Sequence, residues 1–191
     1  MQVFNDHTIC TWIRQDPWRW QVLLCAEKLN LPDWCLAAGF VRNLVWDKLH
    51  NYAHSTPLTD IDLIYFNPRD LNENTEREYV SRLCAMMEAP WSVKNQARMH
   101  LRNDHEPYQS TEDAMTYWVE VETAIGVRRV NRELQLLAPL GIESLARGEL
   151  TLNPRSRAED FYQRINQKQW LTKWPQLKTT AELSNQSPML F

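Results

Sequence analysis

The residues best placed to do chemistry are the carboxylates of Asp60 and Asp62, in the string Asp60-Ile61-Asp62-Leu63-Ile64-Tyr65-Phe66. Its β-branched and aromatic content marks a strand. Alternate residues of a strand share a face, so the two carboxylates look into one volume, roughly 6–7 Å apart at Cα. Beyond Asp62 the string is apolar on both faces, which predicts a central strand. Two like charges at the start of such a strand are costly unless partnered, and a divalent cation removes that cost. Hard oxygen ligands suit Mg²⁺ (or Mn²⁺), which binds one or two protein carboxylates together with substrate phosphates. A plainer reading, a solvated strand end with one Asp capping the preceding loop, stands beside it.

Upstream, Ala37-Ala38-Gly39-Phe40-Val41-Arg42-Asn43 reads as strand, glycine turn and helix start. Glycine lets backbone approach a ligand, and the free N–H groups of a helix N-terminus favour phosphate. Arg42 and Asn43 add donors in that first turn. If Arg42 is exposed there, its loss weakens phosphate binding and leaves stability alone. A phosphate seat beside a carboxylate pair supplies the parts of a phosphoryl or nucleotidyl transfer site. Lys94, Asn95, Gln96 and Arg98 cluster after a short strand, either as contacts to nucleotide or as a helix cap and a solvated face. His50 and His54 lie four apart in loop-like sequence, which does not suit a metal. Arg128, Arg129 and Arg132 read as solvated surface.

The elements that must position these groups can be traced outward. Asp16-Pro17 is an N-cap followed by a first-turn proline, and it predicts a helix over 17–30. Strands are predicted at 34–38, 60–66 and 91–94, with helices at 41–50, 74–88 and 95–102. Ser110 caps another helix. Strands over 119–130 and 133–138 meet at a tight connection near Asn131; a short helix follows within 139–147 and a longer helical region over 157–174. Helices and strands mix without strict alternation, which predicts an α+β fold with a mixed sheet. Residues 1–178 form one domain, with a core at about 17–138 and a helical extension at 139–178. Residues 179–191 form a flexible tail.

Composition narrows the classes. The four glycines, Gly39, Gly126, Gly141 and Gly148, are scattered, so neither a Walker loop nor a GxGxxG turn is present. GxSxG, HExxH and Cys–His signatures are also absent. Cys10, Cys25, Cys35 and Cys84 form no CxxC pair and read as buried thiols. Without a membrane-length apolar run or a signal-like N-terminus, the expectation is a cytoplasmic protein. A net charge of −3 argues against generic nucleic-acid adhesion, although a local basic groove stays open. Among the nine tryptophans, Trp18, Trp20, Trp170 and Trp174 are read as packing anchors.

With these residues in view, the sequence resembles the polymerase-β-like nucleotidyltransferase superfamily, whose signature is a small-residue turn followed by Asp-hydrophobic-Asp. More narrowly it is similar to a bacterial group of nucleotidyltransferase family proteins. The strings that carry the likeness are Ala38-Gly39-Phe40-Val41-Arg42-Asn43 with Trp46-Asp47, Thr59-Asp60-Ile61-Asp62-Leu63-Ile64-Tyr65-Phe66, and Trp91-Ser92-Val93-Lys94-Asn95-Gln96-Ala97-Arg98-Met99-His100. Ala138-Pro139-Leu140-Gly141, Lys168-Gln169-Trp170 and Trp174-Pro175 belong to it as well.

The resemblance implies a Mg²⁺-dependent transfer of a nucleoside monophosphate from a nucleoside triphosphate to an unknown acceptor. Asp60 and Asp62 hold the metal, and Gly39, Phe40, Arg42, Asn43, Lys94 and Asn95 contact the nucleotide. Two departures stand out. Phe40 follows Gly39 where the superfamily usually has a small residue, and the 91–94 strand carries Ser92 and Lys94 rather than a third acid. The alternative is therefore a catalytically silent relative that binds nucleotide or a protein partner.

Overall fold

The computed structural model describes residues 4–180. Ahead of the first expected helix lies α1 (Asp6–Gln15), capped by the Asn5 side chain and buried through Ile9, Cys10 and Ile13. Helix α2 (Pro17–Glu27) starts as expected, with Asp16 accepting from the Arg19 N–H and Pro17 in the first turn. Then come β1 (Cys35–Ala37), α3 (Gly39–Leu49), β2 (Ile61–Tyr65), α4 (Glu73–Met86) and β3 (Trp91–Asn95). A 3₁₀ turn at Gln96–Arg98 leads into α5 (Met99–Asn103), and the Ser110 side chain caps α6 (Thr111–Met115). Strands β4 (Gly126–Val130) and β5 (Glu133–Leu137) form a hairpin. Its two-residue turn, Asn131 and Arg132, has φ values of 51° and 69°, the positive pair that matches strand twist. The remaining elements are α7 (Glu143–Ala146), β6 (Glu149–Leu150), α8 (Ala158–Lys168), α9 (Trp170–Lys173) and β7 (Lys178–Thr179).

Three expectations are corrected. The strand expected over 119–130 is shorter, because residues 121–123 form a 3₁₀ turn in which Glu122 is buried and accepts from the Thr151 N–H. The helix expected over 157–174 breaks at Gln169, whose left-handed backbone (φ 54°) ends α8 and begins α9. Thr179, expected to begin a loose tail, pairs in β7 with β6; residues 181–191 of that tail lie outside the described residues. Among the described residues no helix is long and apolar enough to cross a membrane.

The sheet order is β3-β2-β1-β4-β5, with β2 and β3 parallel and the other pairs antiparallel. Strand β2 thus has neighbours on both sides, and Ile61 and Leu63 are fully buried, as its apolar sequence requires. Glycine is needed at Gly126, where a Cβ would lie 2.6 Å from Cys35 Sγ and prevent β4 from approaching β1. One register line places the site: Ala37 faces Asp62 across β1–β2, and Asp62 faces Ser92 across β2–β3. Helix α3 starts two residues after Ala37, so its first turn lies beside the Asp62 carboxylate.

Candidate active site

The strand-to-helix turn is strained. Ala38 has φ 52° and ψ −122°, a conformation that costs a residue with a Cβ about 1–3 kcal/mol. Its N–H is held by the Ile125 carbonyl at 2.8 Å, so the sheet fixes the distortion. The consequence is directional: α3 leaves β1 sharply, and the Gly39 and Phe40 N–H groups open its N-terminus without a capping side chain. Replacing Ala38 with Gly is expected to stabilise the fold by about 1 kcal/mol, read as a higher urea midpoint at unchanged slope. A lower midpoint would show that the Ala38 methyl contributes more than the strain costs.

Around this turn the expected residues divide. The nearest neighbours of a Cβ on Gly39 would be Asn43 and Leu58 at 3.4–3.6 Å. Ordinary packing would therefore admit a side chain, and its absence keeps open the space above the turn. The Phe40 side chain is buried in the core, which leaves its backbone N–H, in the uncapped first turn of α3, as its only polar donor. Arg42 is not exposed, contrary to expectation. It is 6% accessible and its guanidinium packs against the rings of both Trp46 (4.7 Å) and Trp170 (4.4 Å). It donates to Thr123 Oγ1 at 2.6 Å and to Asn43 Oδ1 at 3.0 Å. Burial lowers its pKa to about 10, so it stays charged at neutral pH.

No local residue pattern announces the network beyond it. Thr123 donates in turn to Glu120 Oε2 at 2.8 Å, and Arg164 of α8 donates to Glu120 Oε1 at 2.6 Å. Glu120 is fully buried, and this chain of contacts joins α3, the 121–123 turn and α8 beneath the carboxylates.

Asp62 is half-buried. Burial first, and then the neighbouring Asp60, push its carboxyl above the usual aspartate value, against a hydrogen bond from Ser92 and the charges of Arg42 and Lys168. Asp60 is more open and faces Lys168, Nζ–Oδ2 3.8 Å. Such a donor set, two adjacent carboxylates of which one is short of solvent, fits a hard divalent cation. Among the described residues no third His, Cys, Asp or Glu completes a metal cluster.

Lys94 borders the same cleft and is bonded to Glu76 Oε2 at 3.1 Å. Asn95 points elsewhere. Its amide donates to the Asn67 and Asp70 carbonyls, and its Oδ1 accepts from the Asn67 and Ala97 N–H groups. A side-chain amide has about that capacity, so the geometry makes Asn95 a tie between loops rather than a nucleotide contact. Arg98 likewise holds Glu76 and Glu73. His50 uses both ring nitrogens internally, on the Trp46 carbonyl and the Gln176 N–H, while His54 is exposed. Arg128 and Arg129 pair with Asp33 and Glu27.

Two cavities meet at Asp62. A small one of about 70 Å³ lies over the first turn of α3 and is bordered by Gly39, Asp60, Lys168, Trp170 and Lys173. A larger cleft of about 790 Å³ runs from Ala38 and Asp62 past Lys94, Arg102, Tyr117 and Arg155. Ala38, Asp62, Thr123 and Arg164 border both. Although the chain carries net negative charge, cations predominate around the large cleft. Its Tyr117 ring, with the Arg155 guanidinium 4.7 Å above it, supplies a flat aromatic surface.

The architecture and the sequence have known counterparts. The profile of a nucleotidyltransferase family matches residues 25–179. No curated protein sequence matches the chain. A solved NMR structure described as a CCA-adding enzyme head domain superposes with a TM-score of 0.81 at 30% identity, over 93% of this chain and 97% of that one. A CCA-adding enzyme in complex with CTP gives a TM-score of 0.56, and a tRNA-processing enzyme complex gives 0.51, each at 13% identity. Those two matches cover 95% and 83% of this chain but only 44% and 43% of theirs. They show a shared fold.

Proposed function

The chain belongs to a nucleotidyltransferase family, and from that premise we propose that it transfers a nucleoside monophosphate from a nucleoside triphosphate, with the reaction centred on Asp60 and Asp62. The observation that carries this reading is the position of Asp62, half-buried beside a second carboxylate where the α3 turn and the two cavities meet. A related fold solved with CTP supports a nucleoside triphosphate as the donor.

In this reading the triphosphate lies against the Gly39 and Phe40 N–H groups at the positive end of α3. Arg42 and Asn43 brace that turn from beneath. The α-phosphorus lies near Asp62, and the acceptor enters along the large cleft. The acceptor oxygen or nitrogen forms a bond to the α-phosphorus and gives up its proton to water, the α–β anhydride bond breaks, and pyrophosphate leaves through the small cavity. Asp60 and Asp62 would hold a divalent cation, Mg²⁺ or Mn²⁺, which when bound neutralises charge developing on the phosphate oxygens. The test is a thermal-shift screen of the four ribonucleoside triphosphates with Mg²⁺ or Mn²⁺. At least one is expected to raise Tm in the presence of the cation; no shift with any of them contradicts the proposal.

One observation favours a second reading, nucleotide binding with slow or no turnover. Ser92, opposite Asp62 in the β2–β3 register, occupies the position open to a third carboxylate. Replacing Ser92 with Asp is expected to tighten Mn²⁺ binding roughly tenfold, about 1.4 kcal/mol. Unchanged Mn²⁺ affinity would place the missing ligand elsewhere and remove the ground for this reading.

A further inference from the structure

The cations that border the small cavity are Arg42, Arg164, Lys168 and Lys173. A triphosphate needs positive charge near its β- and γ-phosphates, and two of these four are already engaged. The Arg42 guanidinium is held by Thr123, Asn43 and two indole rings, and Arg164 is held by Glu120. Lys168 faces Asp60 only at 3.8 Å, and Lys173 makes no ion pair among the described residues. Both lysines come from the α8–α9 segment, each as the last residue of its helix, outside the strand–turn–helix signature.

That segment is fixed rather than loose. Trp170 and Trp174 pack edge-on against Trp46 of α3, with ring centroids 5.6 and 5.0 Å away. Trp174 Nε1 donates to Asp47 Oδ1 at 2.8 Å, and the Tyr52 hydroxyl donates to the Lys173 carbonyl at 2.6 Å. The left-handed Gln169 separates the two helices, and both lysines border the same small cavity as Gly39.

Building on the nucleotide reading, we infer that Lys168 and Lys173 form the second wall of the triphosphate seat. Lys168 is the counter-ion of Asp60 in the free protein and changes partner to phosphate when nucleotide binds. The C-terminal helical extension thereby completes a site whose carboxylates and helix N-terminus lie in the sheet core.

The experiment is isothermal titration of the full chain with inorganic tripolyphosphate in the presence of Mg²⁺, and separately with Mn²⁺ alone. Lys168→Met and Lys173→Met are each expected to weaken tripolyphosphate binding about tenfold, with Lys168→Arg retaining most of the affinity. Mn²⁺ alone is expected to bind Lys168→Met as tightly as the wild type or more tightly, because the ammonium that competes for Asp60 is gone. Both side chains border solvent, so Tm should hold. If the wild type binds tripolyphosphate through Asp60 and Asp62 while both Met variants bind equally well, this inference is overturned and the nucleotide reading stands. If the wild type does not bind Mg²⁺-tripolyphosphate, the nucleotide reading and this inference fall together.

Discussion

Replacing Asp60 and Asp62 together by asparagine is expected to weaken cation-dependent triphosphate binding at least a hundredfold, about 2.8 kcal/mol, while raising Tm at neutral pH. The second half of this result separates a functional carboxylate pair from a structural one. Burial and the neighbouring Asp60 hold the Asp62 carboxyl above its ordinary value, so the folded chain binds that proton more tightly than the unfolded chain. The ionised form therefore costs stability, and the cost grows as pH rises from the ordinary aspartate value of about 3.9 through the folded value. Asparagine removes the charge, so the gain in Tm should be present at pH 7, shrink as pH falls through the raised folded value, and be gone below about 4. Asp60 loses its contact with Lys168, but half-exposed ion pairs of that kind contribute about 0–1 kcal/mol. Isothermal titration with Mg²⁺-nucleotide and thermal unfolding from pH 4 to 8 check both parts. A variant that binds normally, or one destabilised at pH 7, would contradict the assignment.

Arg42→Ala is expected to cost stability on the scale of about 3–5 kcal/mol, typical of breaking a buried charged contact. The substitution removes a cation packed against two indole rings and leaves Thr123 and Asn43 without their donor. Lysine would not replace it, because a point charge cannot lay a plane against an indole ring and donate in two fixed directions at once. Urea denaturation measures the loss. Because Arg42 braces the first turn of α3, triphosphate affinity should fall with it. An Arg42→Ala variant of wild-type stability that has lost affinity would instead put Arg42 directly on the phosphate.

The contrast between these two sites explains what the sequence could reveal. The carboxylate pair and the glycine turn are local patterns: alternation along β2 sets the shared face, and strand, turn and helix are contiguous from Cys35 to Leu49. Arg42 looked like a ligand-facing donor for the same local reason. Its burial depends on Trp170 and Thr123, distant in sequence and brought in by the 121–123 turn and α9. Asn95 misled in the same way, since the loop at 67–70 that absorbs its amide is not adjacent in sequence. The 119–130 strand was overestimated because Val119, Val121 and Val130 suit a strand, while the buried demands of Glu120 and Glu122 come from α8 and from Thr151. Nothing in residue type announces Gln169 as left-handed, the break that divides α8 from α9 and with it Lys168 from Lys173. The string Lys168-Gln169-Trp170 was visible as part of the resemblance, but its role at the site was not.

The central claim is that Asp60 and Asp62 bind a nucleoside triphosphate and a divalent cation together. Its most direct test is the free Mn²⁺ signal in electron paramagnetic resonance, followed as protein is added with and without each of the four ribonucleoside triphosphates. The account predicts weak depletion of free Mn²⁺ by the protein alone, and a larger depletion with at least one nucleotide than protein and nucleotide give separately. It also predicts that the Asp60→Asn, Asp62→Asn variant loses that excess. Equal depletion by wild type and variant with every nucleotide would contradict it.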